Sequence, residues 1–342
     1  NILVTGAGGS IGSEICRQIL NQEPKLLVLF EISELALYQI EKELSGTKNN
    51  IAIIAVLGNV TNQVRLENIM QRFNINTVFH AAAYKHVPIV EKNVIAGLRC
   101  NIFGTLSCIN ASVNSDVESF VFISTDKAVR PTNIMGATKR FAELILQSLA
   151  IKHQKTEDNP KLRISMVRFG NVLGSSGSVV PLFREQIEKG GPVTVTDPNI
   201  IRYFMTIKEA AQLVIQAGSM GKNGEIFLLD MGEPAKVVDL ARDMIKLSGM
   251  SVRDEDNPEG EIEIIYTGLR PGEKLYEELL VDDKAIETLH EKIMQANDKS
   301  LDWKIIDQYL KKLEKHILEE DFDSIEKVFI STVSGFRNNT NK

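Results

Sequence analysis

Cysteine is scarce in this chain: only Cys16, Cys100 and Cys108 occur among its 342 residues. They form no Cys-x-x-Cys pair, and no cysteine–histidine group has the spacing of metal ligands. The sequence therefore predicts no metal site. Scattered single thiols are also typical of a reducing compartment, so we expect a cytoplasmic location.

Long apolar runs and an excess of positive charge are missing as well. We find no stretch of about 18 apolar residues that would span a bilayer and no signal peptide, which predicts a soluble chain. Lysine and arginine number 39 against 45 acidic residues, so the net charge is −6. This balance argues against non-specific nucleic-acid binding and against a basic membrane-surface protein, although it is compatible with a local phosphate site.

The remaining composition is that of a globular protein. With 43% hydrophobic and 25% charged residues, the chain is not disordered, collagen-like or a coiled coil. Its length corresponds to about two domains or one large α/β unit. It begins without Met, directly in the apolar run Ile2-Leu3-Val4, from which we expect an excised domain of a longer protein.

Apolar runs alternate with helix-like segments in the first half of the chain. This alternation predicts an α/β fold with a doubly wound parallel sheet of the Rossmann type. The predicted strands are 2–5, 26–30, 51–57, 77–83 and 120–124. Near the end, residues 303–318 have apolar residues at helical spacing, which predicts an amphipathic helix.

A glycine-rich loop follows the first predicted strand and opens a helix, where backbone N–H groups can approach a pyrophosphate. The residues expected there are Gly6, Gly9, Ser10, Ile11 and Gly12. Glu31 ends the second predicted strand, at the spacing of a carboxylate that receives the hydroxyls of an adenosine ribose. A carboxylate there repels a 2′-phosphate, so we expect NAD as cofactor and favour it over NADP.

Further cofactor contacts are expected at the ends of the neighbouring strands. They are Ser33, Asn59, Val60, Ala81, Ala82 and Ala83. Asn59 can meet the adenine ring, and small alanines let a dinucleotide lie close to the sheet. Tight helix packing explains the alanines equally well.

After the fifth predicted strand come Ser124-Thr125-Asp126-Lys127 and then Met135-Gly136-Ala137-Thr138-Lys139. Here the chain resembles an extended short-chain dehydrogenase/reductase, a family in which a Ser or Thr, a Tyr and a Lys act on the substrate hydroxyl and the nicotinamide ribose. Met135 stands where the family has Tyr, and a thioether cannot accept a proton at physiological pH. Either the protein is an inactive dinucleotide-binding module, or another group does this work.

The whole set of motifs resembles the nucleotide-sugar 4,6-dehydratases of bacterial surface-polysaccharide and glycan synthesis. It is most similar to UDP-N-acetylglucosamine 4,6-dehydratases in which Met replaces Tyr, the type that retains the configuration at carbon 5. The resemblance runs from residue 1 to about residue 280. Besides the glycine loop and the two motifs just quoted, it rests on residues 83–88, 168–172 and 269–274.

This resemblance implies a redox-neutral reaction. Hydride passes from carbon 4 of the sugar to NAD and returns at carbon 6, while water is lost from carbons 5 and 6. The resemblance assigns Lys127 as the base, Asp126 as the acid, Thr125 as the partner of the carbon 4 oxygen and Lys139 as the ligand of the nicotinamide ribose. For these roles the pKa of Lys127 must be lowered and that of Asp126 raised.

A UDP-sugar substrate is expected to meet polar and basic residues beyond the cofactor. The predicted contacts are Lys85, His86, Asn101, Arg168, Asn171, Ser175, Val180, Arg202, Arg270 and Glu273. Guanidinium groups clamp diphosphates with paired hydrogen bonds. Each arginine could equally serve in a salt bridge, and Asn101 could equally satisfy a local backbone group. Arg270, in a Pro-Gly turn, is the strongest candidate.

The predicted domain division follows these sites. Residues 1–170 form the NAD-binding domain, with 201–225 and 235–250 returning to it, and residues 171–200 and 226–342 form mainly a smaller α/β substrate domain. Relatives of this kind dimerise through helices that correspond to 96–113 and 137–150, so we expect a homo-oligomer. They often carry membrane helices before the catalytic unit, so the parent protein is expected to be anchored in the inner membrane.

Three alternatives stay open. A dehydratase that inverts carbon 5 and a 4-epimerase are similar enzymes, but both retain the Tyr that Met135 replaces. A non-catalytic NAD-binding sensor or scaffold would have no need of Thr125-Asp126-Lys127 beside an intact glycine loop.

Overall fold

We describe a computed structural model of the protein, which covers residues 1–46, 51–156, 162–278 and 285–338. In these ranges the strands are β1 (Ile2–Thr5), β2 (Leu26–Glu31), β3 (Ala52–Leu57), β4 (Thr77–His80), β5 (Ser119–Ile123), β6 (Arg163–Arg168), β7 (Asn171–Leu173), β8 (Val193–Val195), β9 (Ile201–Arg202), β10 (Phe204–Thr206), β11 (Glu225–Leu229), β12 (Ala235–Lys236), β13 (Val252–Arg253), β14 (Ile262–Tyr266), β15 (Ile286–Glu287) and β16 (Ile293–Ala296).

The helices of the same ranges connect and flank these strands. They are α1 (Ser10–Leu20), α2 (Glu34–Ser45), α3 (Gln63–Arg72), α4 (Val87–Lys92), α5 (Val94–Leu98), α6 (Gly104–Asn114), α7 (Ile134–Thr156), α8 (Val179–Glu188), α9 (Ile207–Met220), α10 (Val237–Leu247), α11 (Trp303–Glu319) and α12 (Phe322–Thr332). A π-helical turn, Arg99–Phe103, joins α5 to α6, and a 3₁₀ turn, Asp126–Ala128, follows β5.

The central element is a nine-stranded sheet in the order β15-β16-β11-β6-β5-β4-β1-β2-β3. From β11 to β3 all neighbours are parallel, and β16 and β15 add an antiparallel edge. The strand order reverses between β1 and β4, so a crevice opens at the carboxyl ends of these two strands. The predicted α/β fold with a doubly wound parallel sheet is confirmed.

Apolar cores cover both faces of this sheet, which explains why its inner strands are almost continuously apolar. Strand β5 is buried along its whole length. One core joins the sheet to α3, α6, α7, α11 and α12, and the other joins it to α1, α2 and α9. The helix predicted at 303–318 is α11, and its apolar stripe Ile306, Leu310, Leu313 and Ile317 is buried in the first core.

A smaller unit with its own core stands beside the crevice. Strands β13, β14 and β8 form its sheet, and α8 and α10 pack on it through Phe183, Ile187, Val238 and Ile245. Two short two-stranded sheets, β10 with β7 and β12 with β9, lie between the units. The smaller unit therefore supplies one wall of the crevice, as a substrate domain would.

The predicted domain division is wrong in three places. Strand β11, assigned to the substrate domain, pairs with β6 in the large sheet because its apolar residues are buried on both faces. Helix α10, expected to return to the first domain, belongs to the core of the smaller unit. Residues 285–338 add two strands and two helices to the large unit instead of the smaller one.

The helical hairpin α11–α12 covers α7. Every residue from 133 to 150 is buried within the single chain, and Phe141 of α7 contacts Phe329 of α12 edge to face. The prediction that residues 137–150 form a dimer interface is therefore wrong, because the chain's own carboxyl-terminal hairpin occupies that face of α7.

One helical stretch of the described residues has the length and apolarity of a membrane span. It is Val94–Asn114, with a mean hydropathy of 1.3, and half of its most apolar window is buried in the fold. Such burial is typical of a core helix of a folded domain as well, so length and composition alone do not identify a span.

Candidate active site

The glycine loop between β1 and α1 has a backbone that only glycine allows at two positions. Gly6 has a φ of +66°, and a Cβ atom there would lie 2.7 Å from the backbone nitrogen of Ala82. A Cβ atom on Gly12 would lie 2.0 Å from the carbonyl oxygen of Gly6. The loop therefore turns tightly against the end of β4, where small residues are needed.

Glu31, at the end of β2, faces the same crevice. Its carboxylate accepts hydrogen bonds from the backbone N–H groups of Gly8 at 3.0 Å, Ile32 at 2.9 Å and Ser33 at 3.1 Å. These bonds fix the carboxylate beside the glycine loop. The hydroxyl of Ser33 accepts from Ala36 N and so caps α2, and Ser33 lines neither of the cavities described below.

The Glu31 cavity, as we call the space around this carboxylate, has a volume of about 880 Å³. The predicted residues Asn59, Val60, Ala81, Ala82 and Ala83 line it. The Asn59 side chain accepts from the backbone N–H and the hydroxyl of Thr61, which holds the loop after β3 in place.

A second space, the Lys127 cavity, has a volume of about 780 Å³ and lies between the large sheet and the smaller unit. The two cavities meet at Gly6, Gly9, Ala81, Ala83 and Tyr84. Ser10 and Ile11 line the second one. One elongated ligand can therefore occupy both cavities with its centre at the glycine loop, which fits a dinucleotide whose pyrophosphate lies at the N-terminus of α1.

Lys127 Nζ has three polar neighbours. Its Nζ donates to Asp126 Oδ1 at 3.0 Å and lies 3.4 Å from Asn171 Oδ1 and 3.5 Å from Glu277 Oε1. Burial alone would lower the pKa of Lys127, but the charges of Asp126 and Glu277 outweigh burial and raise the pKa to about 12. Lys127 thus holds its proton, and the lowered pKa that the role of base requires is not found.

Asp126 lies behind Thr125 and Lys127 instead of lining the cavity. Its side chain is 1% exposed, and Thr125 Oγ1 donates to Asp126 Oδ1 at 2.9 Å. Asp126 Oδ2 is buried without a hydrogen-bond partner among the described residues, next to Gly170 of the cavity wall. Asp126 can therefore exchange protons with the cavity through Thr125 or Lys127.

Lys139 and Met135 project from the first turns of α7 into the Lys127 cavity. Lys139 Nζ donates to the carbonyl oxygen of Ile123 at 2.6 Å and lies 3.9 Å from the centre of the Phe122 ring. Burial lowers the pKa of Lys139 to about 8. Met135 is 2% exposed, so it both packs in the core and lines the cavity, and no phenol stands at this position.

Positive charge predominates in the Lys127 cavity, although the whole chain is acidic. Six cationic side chains and two carboxylates line it among the described residues: Lys85, Lys127, Lys139, Arg202, Arg270 and Lys274 with Glu273 and Glu277. Arg270 is exposed, and no hydrogen bond or ion pair to its guanidinium is found in the described ranges. Such a cavity favours anionic ligands, and Arg270 is free to bind a diphosphate.

Most of the predicted substrate contacts line this cavity. They are Lys85, His86, Asn171, Ser175, Val180, Arg202, Arg270 and Glu273. Arg202 also donates to the carbonyl oxygens of Ile201, Lys274 and Leu275. Its guanidinium therefore holds the loop that carries Arg270, in addition to lining the cavity.

Two predicted substrate contacts do not reach either cavity. Arg168 is 1% exposed and is paired with the buried carboxylates of Glu143 and Asp298, so its role is structural. Asn101 is also buried, where it bonds to both backbone groups of Tyr84 and to the hydroxyl of Thr138. Asn101 therefore fixes the loop after β4. This agrees with the alternative given above, in which Asn101 satisfies a local backbone group.

The structure adds three residues that the sequence analysis missed. Tyr84 stands where the two cavities meet, and Lys274 and Glu277 line the Lys127 cavity. The Glu277 side chain is 5% exposed and lies 3.6 Å from Arg202 Nε as well as close to Lys127. Its only signal in the sequence is its place just after the motif at 269–274.

The buried ion pairs around Glu143 predict a pH dependence of stability. Burial alone would raise the pKa of Glu143, but Arg168, Arg140 and the Ser124 hydroxyl lower it from 4.5 to about 2. A carboxylate with a depressed pKa stabilises the fold fully above its unfolded value, and this contribution is lost as pH falls towards about 2. We expect the free energy of unfolding, measured in urea, to fall less steeply below about pH 4.5 in Glu143→Gln than in wild type.

The exposed Glu185, on α8, provides the matched control for this measurement. Glu185→Gln should keep the wild-type pH dependence except for the small contribution of a surface ion pair. Equal slopes for wild type and Glu143→Gln would contradict the stabilising role of the ionised Glu143.

The chain is similar in sequence to a known protein family and to named relatives. The chain matches the model of the family described as polysaccharide biosynthesis protein over residues 2–298. It is 48% identical over 328 residues to the capsular polysaccharide biosynthesis protein CapD of Staphylococcus aureus, covering 95% of this chain and 51% of that protein. The chain thus spans about half the length of this relative.

A more distant relative is named as an enzyme. The UDP-glucose 4-epimerase of Rickettsia rickettsii is 30% identical over 287 residues, which are 83% of this chain and 78% of the relative.

Two solved structures share the fold. Pen from Bacillus thuringiensis is 35% identical with a TM-score of 0.76, covering 86% of this chain and 88% of its own. A dTDP-glucose 4,6-dehydratase from Streptomyces venezuelae, solved with NAD bound, is 20% identical with a TM-score of 0.67, covering 82% of this chain and 88% of its own. At that identity the second likeness concerns the fold alone.

Proposed function

Because the chain belongs to the polysaccharide biosynthesis protein family of extended short-chain dehydrogenases/reductases, we propose that it is an NAD-dependent nucleotide-sugar 4,6-dehydratase. The substrate we propose is UDP-N-acetylglucosamine, converted with loss of water and retention at carbon 5 for surface polysaccharide or glycan synthesis. The observation that carries the proposal is the trio Thr125-Asp126-Lys127 at a cavity continuous with the dinucleotide crevice, with Met135 in place of a tyrosine.

The residues that would hold NAD are the glycine loop at the pyrophosphate, Glu31 at the adenosine ribose and Lys139 at the nicotinamide ribose. When bound, NAD supplies reversible hydride transfer between carbons 4 and 6 of the sugar. The protein's own residues must then move three protons. They must accept the carbon 4 hydroxyl proton, move the carbon 5 proton away and back, and donate one proton to the leaving water.

Thr125 and Asp126 form a path for the first of these protons. The Thr125 hydroxyl lines the cavity and donates to Asp126 Oδ1. It can pass its own proton to Asp126 as it accepts one from the carbon 4 hydroxyl, which provides a base without a tyrosine.

Lys127 and Glu277 suit the other two transfers. The protonated Lys127 can donate to the leaving carbon 6 hydroxyl, and the Glu277 carboxylate can accept the carbon 5 proton and return it from the same face, which retains the configuration. Asp126 then reprotonates Lys127 across their 3.0 Å hydrogen bond, and the starting charges are restored. These roles replace those that the resemblance assigned to Lys127 and Asp126, because the raised pKa of Lys127 keeps it protonated and so unsuited to act as the base.

The two schemes predict different isotope patterns. With substrate deuterated at carbon 5, a carboxylate carries a single label and can return it, whereas a lysine mixes it with two other protons on Nζ. We expect the product to keep most of the deuterium at short reaction times and Glu277→Gln to lose turnover by about 10²-fold or more. Extensive loss of label with an active Glu277→Gln enzyme would support Lys127 as the base.

Cofactor preference provides a separate prediction. Glu31 should repel the 2′-phosphate of NADP, so we expect NAD to bind at least about tenfold more tightly than NADP by calorimetry. Glu31→Ser should lower the ratio of the affinity for NAD to the affinity for NADP. Glu34→Ser, on the exposed start of α2, should leave this ratio unchanged. Equal affinity of wild type for both cofactors would refute the role of Glu31.

A 4-epimerase is the second candidate, favoured by the relative of that name. Incubation with UDP-N-acetylglucosamine, followed by chromatographic separation of the sugar nucleotides and mass spectrometry, separates the two. A dehydratase product is lighter by one water, an epimerase product has unchanged mass, and the absence of any product would leave a binding module.

A further inference from the structure

Helix α11, the first helix of the carboxyl-terminal hairpin, reaches the Glu31 cavity. Three of its residues, Glu314, Ile317 and Leu318, line this cavity. Glu31, Asn59 and three residues of the π-helical turn, Arg99, Cys100 and Phe103, line it as well. The family match ends at residue 298, so α11 lies outside the part of the chain that this match covers.

The burial of these residues separates a structural role from a binding role. Ile317 is 5% exposed and belongs to the core shared with α7, so it anchors the helix. Leu318 follows it directly but is 73% exposed. A large apolar side chain that contributes little to the core, yet lines a cavity, gains most of its burial from whatever occupies that cavity.

We propose that α11 completes the adenosine half of the dinucleotide site, with Leu318 packing against the adenine ring. Adenine is a flat ring with apolar faces, and the cavity offers further apolar surface from Ile32 and Phe103. The inference rests on the proposed function only in that it requires the crevice to bind NAD.

This placement links the hairpin α11–α12 to the retention of the cofactor. The hairpin is fixed on α7 by a buried apolar face, so Leu318 is held in position before NAD binds. A wall that is already in place costs little ordering on binding and slows cofactor release. Slow release suits a reaction in which the cofactor is regenerated within each turnover.

Calorimetry tests the inference. Wild type and variants are titrated with NAD and with ADP-ribose, which is NAD without its nicotinamide ring. Leu318→Glu should weaken the binding of both ligands by about tenfold, and Leu318→Ala by a smaller factor. Ile330→Glu is the matched control, because Ile330 is 59% exposed on α12 and lines neither cavity. All variants should keep the wild-type unfolding temperature without ligand, since the replaced side chains are exposed.

The outcomes separate this inference from the proposed function. If Leu318→Glu binds both ligands with the affinity of wild type, the inference is overturned while NAD binding stands. The same holds if Ile330→Glu weakens binding as much as Leu318→Glu does. If wild type binds neither ligand, the inference and the proposed function both fail.

Discussion

Replacing Lys127 by alanine should lower the turnover of UDP-N-acetylglucosamine by about 10³-fold or more while NAD stays bound. General acid–base catalysis by one positioned group contributes about 10²–10⁴-fold, and Lys127 is the cavity-lining cation whose Nζ contacts both Asp126 and Glu277. Asp126→Asn should have a similar effect, because it removes the acceptor behind Thr125 and the partner that recharges Lys127. Turnover and NAD affinity are measured on the same preparations.

Lys189 is the matched control for this substitution. It is an exposed lysine that pairs with Glu185 on α8, away from both cavities, so Lys189→Ala should retain full turnover. A fully active Lys127→Ala enzyme would rule out any proton-transfer role for Lys127. Loss of NAD binding in that variant would instead indicate a structural defect of the site.

The largest effect on stability is expected from Arg168→Ala. Arg168 is buried and pairs with Glu143 Oε2 at 2.6 Å and with Asp298, while Glu143 also accepts from Ser124 at 2.6 Å and from Arg140 at 2.9 Å. Removing the guanidinium leaves two buried carboxylates with too few positive partners, which typically costs about 3–5 kcal/mol. We expect a decrease of this size in the free energy of unfolding, measured by urea denaturation.

Lys189→Ala serves again as the reference, because breaking an exposed ion pair should change the free energy of unfolding by less than about 1 kcal/mol. A change in Arg168→Ala as small as that of the reference would mean that the buried network contributes no net stability. If Arg168→Ala instead lost affinity for NAD without losing stability, Arg168 would be a ligand-binding residue, as the sequence suggested.

The parallel sheet was predictable because each strand–loop–helix unit is specified locally. Glycines after β1, an acidic residue at the end of β2 and apolar runs of strand length are all readable in a short window of sequence. The same locality explains why the strand-end residues Thr125 and Lys127 were found. Carboxyl ends of parallel strands meet at one edge of a sheet, so their side chains gather wherever the strand order reverses.

Features that depend on distant segments were not predictable in the same way. Strand β11 and helix α10 both have ordinary apolar patterns, and the pattern does not tell which core receives them. Arg168 sits in a motif of the family, yet its environment is set by Glu143 and Asp298, which are 25 and 130 residues away. The pKa of Lys127 is raised by the adjacent Asp126 and further by Glu277, which only the folded chain brings close.

Substrate labelled with deuterium at carbon 4 gives a direct test of the redox-neutral dehydration. We predict a product that is lighter by one water, carries the deuterium at carbon 6 and forms without net reduction of NAD. An unlabelled product, or a product of unchanged mass, would contradict internal hydride transfer from carbon 4 to carbon 6.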